Sequence, residues 1–193
     1  MSRYAKERHS YVCKDLSEEF NKFDKKIDER VKTLKGVDTA TGHPYSFEVG
    51  YERFLGPELF FKPEIFSTQF TTPLPDLVDA SIQSSPIDSR RGLYKTITLS
   101  GGSTMFPKFD KRLQLDLSNI VQGRMEAMKE RFAKQGKEVS SEPIDVNVLT
   151  SPYQRYAVWY GGSKMAAHPD FATHCYTKAE YEEHGPKRFY SFL

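Results

Sequence analysis

Residues 99–106 read LSGGSTMF, and this stretch constrains the fold more than any other in the chain. It lies between a short β-rich run, residues 95–99, and a long helical pattern that begins at Phe106. A strand that delivers Gly101 and Gly102 to a helix start lets backbone approach a flat ligand where a side chain would collide. The same pairing is also ordinary turn chemistry, so its meaning depends on what surrounds it.

Downstream, the apolar positions Phe109, Leu113, Leu117, Ile120, Val121, Met125, Met128 and Phe132 keep helical spacing. A surface loop is expected over 136–142, and a second strand over 144–149. Residues 153–167, YQRYAVWYGGSKMAA, place Tyr156, Trp159 and Ser163 on one stripe. They read as a helix against a sheet, with Gly161 and Gly162 permitting close packing. A last helix spans 178–184, capped by Thr177 and stopped by Gly185-Pro186.

Upstream, residues 3–34 read as two helices that break near 13–15, with Ser17 capping the second. A polar connector over 36–44 precedes a short strand at 45–49. Residues 51–66 are too rich in proline and glycine for one helix and too apolar for a free loop, which predicts a compact segment pinned by Phe and Leu. Pro73 opens a helix to 84, and 86–94 adds a short one. Strand and helix alternate in the second half, an α/β pattern. Two or three short strands make a poor sheet, so the sheet reads as incomplete, with flanking helices.

At 193 residues the chain can bury a real core. Its 28 Lys and Arg nearly balance 26 Asp and Glu, and the basic residues interleave with acids, which argues against a nucleic-acid partner. No apolar run reaches membrane-spanning length. The N-terminal MSRYAKERHSYV lacks the apolar centre of a secretory signal. Two cysteines far apart, Cys13 and Cys175, suit a reducing compartment. Read alone, Lys6 and Glu7 are a solvated pair, Met105 and Phe106 core, and Arg155 a surface cation. His168, His174, Cys175 and His184 fit no zinc spacing, so no metal site is expected. No catalytic set of side chains can be assembled from the sequence.

Three segments together resemble the C-terminal half of the actin superfamily. KERHSYVCKD (6–15) resembles the helix end on the adenine side of the cleft, and LSGGSTMFP (99–107) the adenosine motif. QRYAVWYGGSKMAA (154–167) resembles the hinge helix leading from the third subdomain back to the first. GYERFLGPELFFKPE (50–64) and PIDSRRGLYK (86–95) are closer to the actin-related proteins than to actin itself. The likeness runs over residues 5–185.

The resemblance implies the C-terminal half of the actin-like (ribonuclease H-like) α/β ATPase fold. Residues 1–70 would belong to subdomain 4, 71–155 to subdomain 3 and 156–193 to subdomain 1. Lys6 and Glu7 would reach the nucleotide from one wall, Glu7 toward the ribose. Gly101 and Gly102 would lie under base and ribose, and Met105 and Phe106 would close the adenine pocket. Arg155 stands where actin has lysine, and its planar guanidinium can stack on the base edge. Phe106 keeps the ring of actin's tyrosine without the hydroxyl.

The cofactor implied is ATP with magnesium. The superfamily's phosphate hairpins and magnesium-positioning acids belong to its N-terminal half, and nothing in this chain matches them. Charge-assisted hydrogen bonds contribute about 1.5–3 kcal/mol each, so lacking three weakens binding by roughly a thousandfold or more. The chain alone is therefore expected to bind ATP negligibly and not to act as an enzyme. Exposed sheet edges and an apolar face are expected to make it self-associate. The tail, 187–193, departs from the family's usual apolar end.

The partners implied are a second actin-like subunit and the smaller subunits of the actin-related protein 2/3 complex, together with the side of an actin filament. The implied location is the cytoplasm and its cytoskeleton. A conventional actin-like filament protein, or a sugar-kinase or chaperone-type ATPase of the same superfamily, is the alternative.

Overall fold

Four apolar side chains at i, i+4 spacing, Phe109, Leu113, Leu117 and Val121, are all buried, and the helix that carries them organises the core. A computed structural model describes residues 2–136 and 142–185. The chain divides into two units, Met1–Arg155 and Tyr156–Leu193.

The first unit begins with helices α1 (Ser2–His9), α2 (Leu16–Asp24) and α3 (Ile27–Arg30). They are followed by a hairpin of β1 (Lys32–Val37) and β2 (Pro44–Val49). Helices α4 (Glu52–Glu58), α5 (Leu74–Ser84) and α6 (Ile87–Lys95) lead to strand β3 (Ile97–Thr98). After the glycine motif come α7 (Phe109–Ala133) and β4 (Val148–Leu149). The second unit holds α8 (Ala157–Ala166) and α9 (Lys178–His184).

The sheets are small. β1 pairs antiparallel with β2, Leu34 opposite Phe47, and β3 pairs parallel with β4, Ile97 opposite Val148. Among the described residues no third strand joins either pair. The parallel pair is anchored on α7, where the Gln114 side-chain oxygen accepts from the Val148 N–H at 3.1 Å.

The main core gathers the α7 stripe with Val12, Phe61, Ile82, Tyr94, Leu99 and Val146. Burying each large side chain contributes about 1.5–3 kcal/mol. A second cluster sets Cys13, Leu16, Phe23 and Phe54 against Phe20 and Tyr51, with the Phe20 and Phe54 rings edge to face at 5.1 Å. A third packs Ala5 of α1 against Leu34 and Val49 of the hairpin. That contact fixes α1, and with it Lys6 and Glu7.

Several sequence expectations change. The helical reading of 3–34 fails at its end: Val31 is already extended, and Leu34 lies in β1 because 44–49 supplies a pairing partner that local periodicity cannot register. Asp15, not Ser17, caps α2, accepting from the Glu18 N–H at 2.7 Å. The strand expected over 95–99 shrinks to two residues, since Lys95 ends α6. The 144–149 strand likewise shrinks to Val148–Leu149. Residues 51–66 form α4 with Pro57 inside it, then a 3-10 turn at Pro63–Ile65.

In the second unit no residue of α8 is buried, and a Cβ at Gly161 or Gly162 would meet nothing within 4 Å. Within this unit, and among the described residues, the glycines of that helix make no close approach. Thr177 caps α9 in a reciprocal capping box with Glu180, and Gly185 takes a positive φ of 66° after it. The loop expected at 136–142 lies mostly, and the tail at 187–193 wholly, outside the described residues.

Candidate nucleotide cleft

Gly101 has φ 98°, a backbone conformation that side chains rarely tolerate. It turns the chain out of the β3–β4 ladder, whose last bond is the Leu99 N–H to the Leu149 carbonyl at 3.1 Å. The turn then winds as a 3-10 segment, Gly102–Met105, before α7. Gly102 has no such φ, and a Cβ there would meet nothing within 4 Å. The backbone thus demands glycine only at Gly101.

The turn forms one wall of a cleft of about 490 Å³. Gly102, Ser103, Met105 and Phe106 line it from this side, Arg3, Lys6 and Glu7 from α1, and Arg155 from the segment after β4. Of the seven residues expected at a site, the structure brings six into this lining: Lys6, Glu7, Gly102, Met105, Phe106 and Arg155. Gly101 stands behind the lining, its N–H donating to the Gln154 carbonyl at 2.8 Å.

The charges converge on Glu7. Arg3 donates from Nε to its carboxylate at 3.0 Å, the i, i+4 geometry of one helix face, and Arg155 approaches the same oxygen at 3.7 Å. The Arg3 hydrogen bond, aided by the charges of Arg3, Arg155 and Lys6, holds Glu7 below the usual carboxylate range. The cleft therefore offers one ionised acceptor among three cations, beside the apolar surfaces of Met105 and Phe106. That arrangement suits a purine and its ribose: apolar faces for a ring, a carboxylate for hydroxyls, and cations around them.

Sequence reasoning missed Arg3, Ser103 and Gln154. The spacing of Arg3 from Glu7 could have flagged it. Gln154 gives no signal in the sequence, yet it is 5% exposed and bonded across to the turn. A separate cavity of about 360 Å³, lined by Val12, Cys13, Lys14, Lys108, Lys111, Arg112 and Leu115, includes none of the expected residues. Among the described residues no helix is long and apolar enough to cross a membrane.

The family model for Actin matches residues 1–190. The chain is 52% identical over 186 residues to Actin-related protein 3 of Dictyostelium discoideum, covering 96% of this chain and 44% of the relative. It is 51% identical over 185 residues to the protein of the same name from Oryza sativa subsp. indica, covering 96% and 42%. To that of Acanthamoeba castellanii it is 51% identical over 186 residues, covering 96% and 43%. The chain thus spans less than half the length of these curated relatives. The mixed α/β architecture is that of a partial actin-like fold, and with a match running almost from end to end the chain belongs to the actin family.

Proposed function

We propose that the chain is the purine-facing portion of an actin-like subunit of the actin-related protein 2/3 complex, which nucleates branched actin filaments. The observation that carries this is the cleft, where six of the seven expected residues converge in a chain about half identical to proteins named Actin-related protein 3. In this reading ATP, with its magnesium, is the cofactor. Met105 and Phe106 face the adenine, Glu7 accepts from the ribose hydroxyls, and Lys6 and Arg155 flank the nucleotide. The phosphate hairpins come from the N-terminal portion of the whole protein. Phosphoryl transfer depends on positioning and electrostatic stabilisation of the phosphates, so this portion is not itself an enzyme. The nucleotide acts by biasing closure of the two halves, which assembly then reads. The partners are a second actin-like subunit, the smaller subunits and an actin filament, in the cytoplasmic cytoskeleton.

The test compares this chain with a form joined to the N-terminal segment of the Dictyostelium relative. Calorimetry should give no measurable ATP affinity for the chain alone and tight binding for the joined form. The joined form should also co-purify with a second actin-like subunit and support branched nucleation. Micromolar ATP binding by the chain alone would contradict the division of labour. Filament formation by the joined form without partners would favour conventional actin.

A further inference from the structure

The Gly101–Thr104 turn is fastened at both ends to one residue. Gln154 accepts the Gly101 N–H on its backbone oxygen at 2.8 Å. Its side-chain Nε2 donates to the Thr104 carbonyl at 3.1 Å and to Thr104 Oγ1 at 2.7 Å. Thr104 Oγ1 in turn donates to the Gly101 carbonyl at 2.8 Å, closing the turn on itself. Gln154 immediately precedes Arg155, which lines the same cleft, and is 5% exposed. The same residue therefore ties the turn that carries Gly102, Met105 and Phe106 to the backbone that carries Arg155.

We propose that Gln154 is the positioning residue of the purine pocket: its carboxamide, bonded to Thr104, holds the glycine turn at the spacing from Arg155 that a purine base requires. This rests on the nucleotide reading given above. A buried amide donor serves this role because it fixes two acceptors of one residue at once, and an apolar replacement leaves both without that donor. Gln154 itself does not line the cleft, so it acts through the turn and through Arg155.

The experiment uses the form joined to the N-terminal segment, with ATP and inorganic tripolyphosphate as separate probes. Tripolyphosphate carries the anionic end without the purine, so general loosening of the protein weakens both probes, whereas a displaced purine wall weakens ATP alone. Gln154→Met should lower ATP affinity about tenfold, the scale of one buried hydrogen bond, and leave tripolyphosphate affinity within about twofold. Thr104→Val, which keeps the side-chain shape and removes the Oγ1 bonds, should show the same selective loss at smaller size, and it carries the test if Gln154→Met does not fold. Equal ATP affinity in folded Gln154→Met and parent, or an equal fall with both probes, would overturn the positioning role. Failure of the parent to bind ATP would instead remove the nucleotide reading, and the proposal with it.

Discussion

Arg112 and Glu58 form an ion pair closed off from water, Nη2 to Oε1 at 3.2 Å, with side chains 7% and 0% exposed. Arg112 also donates to the Cys13 carbonyl at 2.8 Å and to Asp116 at 2.8 Å, and lies 4.8 Å from the centre of the Phe61 ring. One guanidinium thus ties α7 to α4 and to the chain entering α2. Removing it leaves a carboxylate buried without its charged partner, which costs about 3–5 kcal/mol. Arg112→Met should lose that much in urea denaturation, and Glu58→Leu combined with Arg112→Met should regain most of it. A loss under about 1 kcal/mol in the single variant would mean that water reaches Glu58.

The two thiols should differ sharply in reactivity. Burial pushes the Cys13 thiol up to about 12, with the charge of Glu58 and its hydrogen bond to that carboxylate adding to the rise. Cys175 is exposed. A disulfide reagent at pH 8 should titrate Cys175 at once and Cys13 only on unfolding, because the thiolate is the nucleophile. Two equally fast thiols in the folded chain would contradict the burial of Cys13.

Alkaline pH should erode stability through the same region. Burial, then the hydrogen bond to Glu19, also pushes Tyr11 up to about 12. Both groups hold their protons more tightly folded than unfolded, where they titrate at ordinary values of 9.0 and 10.0. Their contribution is whole below those values and is lost as pH rises from there toward the folded ones. The urea midpoint should fall progressively between about pH 9 and 12, and Cys13→Ala should blunt the early part of that fall. A midpoint that stays level across this range would show that neither group is shielded.

What the sequence made legible was what a single segment decides. The α7 stripe, the strand at 45–49, the Thr177 cap and the glycine turn all follow from local spacing and residue chemistry. Strand β1 was not legible, because KTLKGV becomes a strand only through its partner across the loop. There Gly36 lies opposite Tyr45, whose ring covers the place a Cβ would take. The choice between Asp15 and Ser17 as cap turned on two residues of register. The cleft was legible through family likeness, which brought distant segments together. Composition and spacing alone would have left Lys6, Glu7 and Arg155 as surface charge. Gln154 escaped both routes, since its role depends on which backbone atoms lie within reach of its amide.

The two glycines of the turn should separate stability from binding. Gly101→Ala forces a side chain into φ 98°, ψ 159°, a region open essentially to glycine alone, and should cost about 1–3 kcal/mol. Gly102→Ala meets no neighbour within 4 Å and should leave the melting temperature nearly unchanged. Because Gly102 lines the cleft, the same methyl should weaken ATP binding in the form joined to the N-terminal segment. Equal melting shifts in the two variants would contradict the assignment of the strained position to Gly101.

Trp159 is the chain's one tryptophan and is 74% exposed on α8, where Val158 is 80% exposed and Tyr156, the residue before the helix, 63%. Large apolar side chains left exposed favour association, and the indole reports on whether Trp159 is covered. At low concentration the chain should emit with the red-shifted maximum of indole in water. As concentration rises the emission should shift to the blue, and elution on a sizing column should move to larger species over the same range. Joining the N-terminal segment should shift the emission without dependence on concentration, because the cover is then intramolecular. A blue maximum in the dilute monomeric chain would mean that Trp159 is already packed, and that the apolar face expected to drive association is closed.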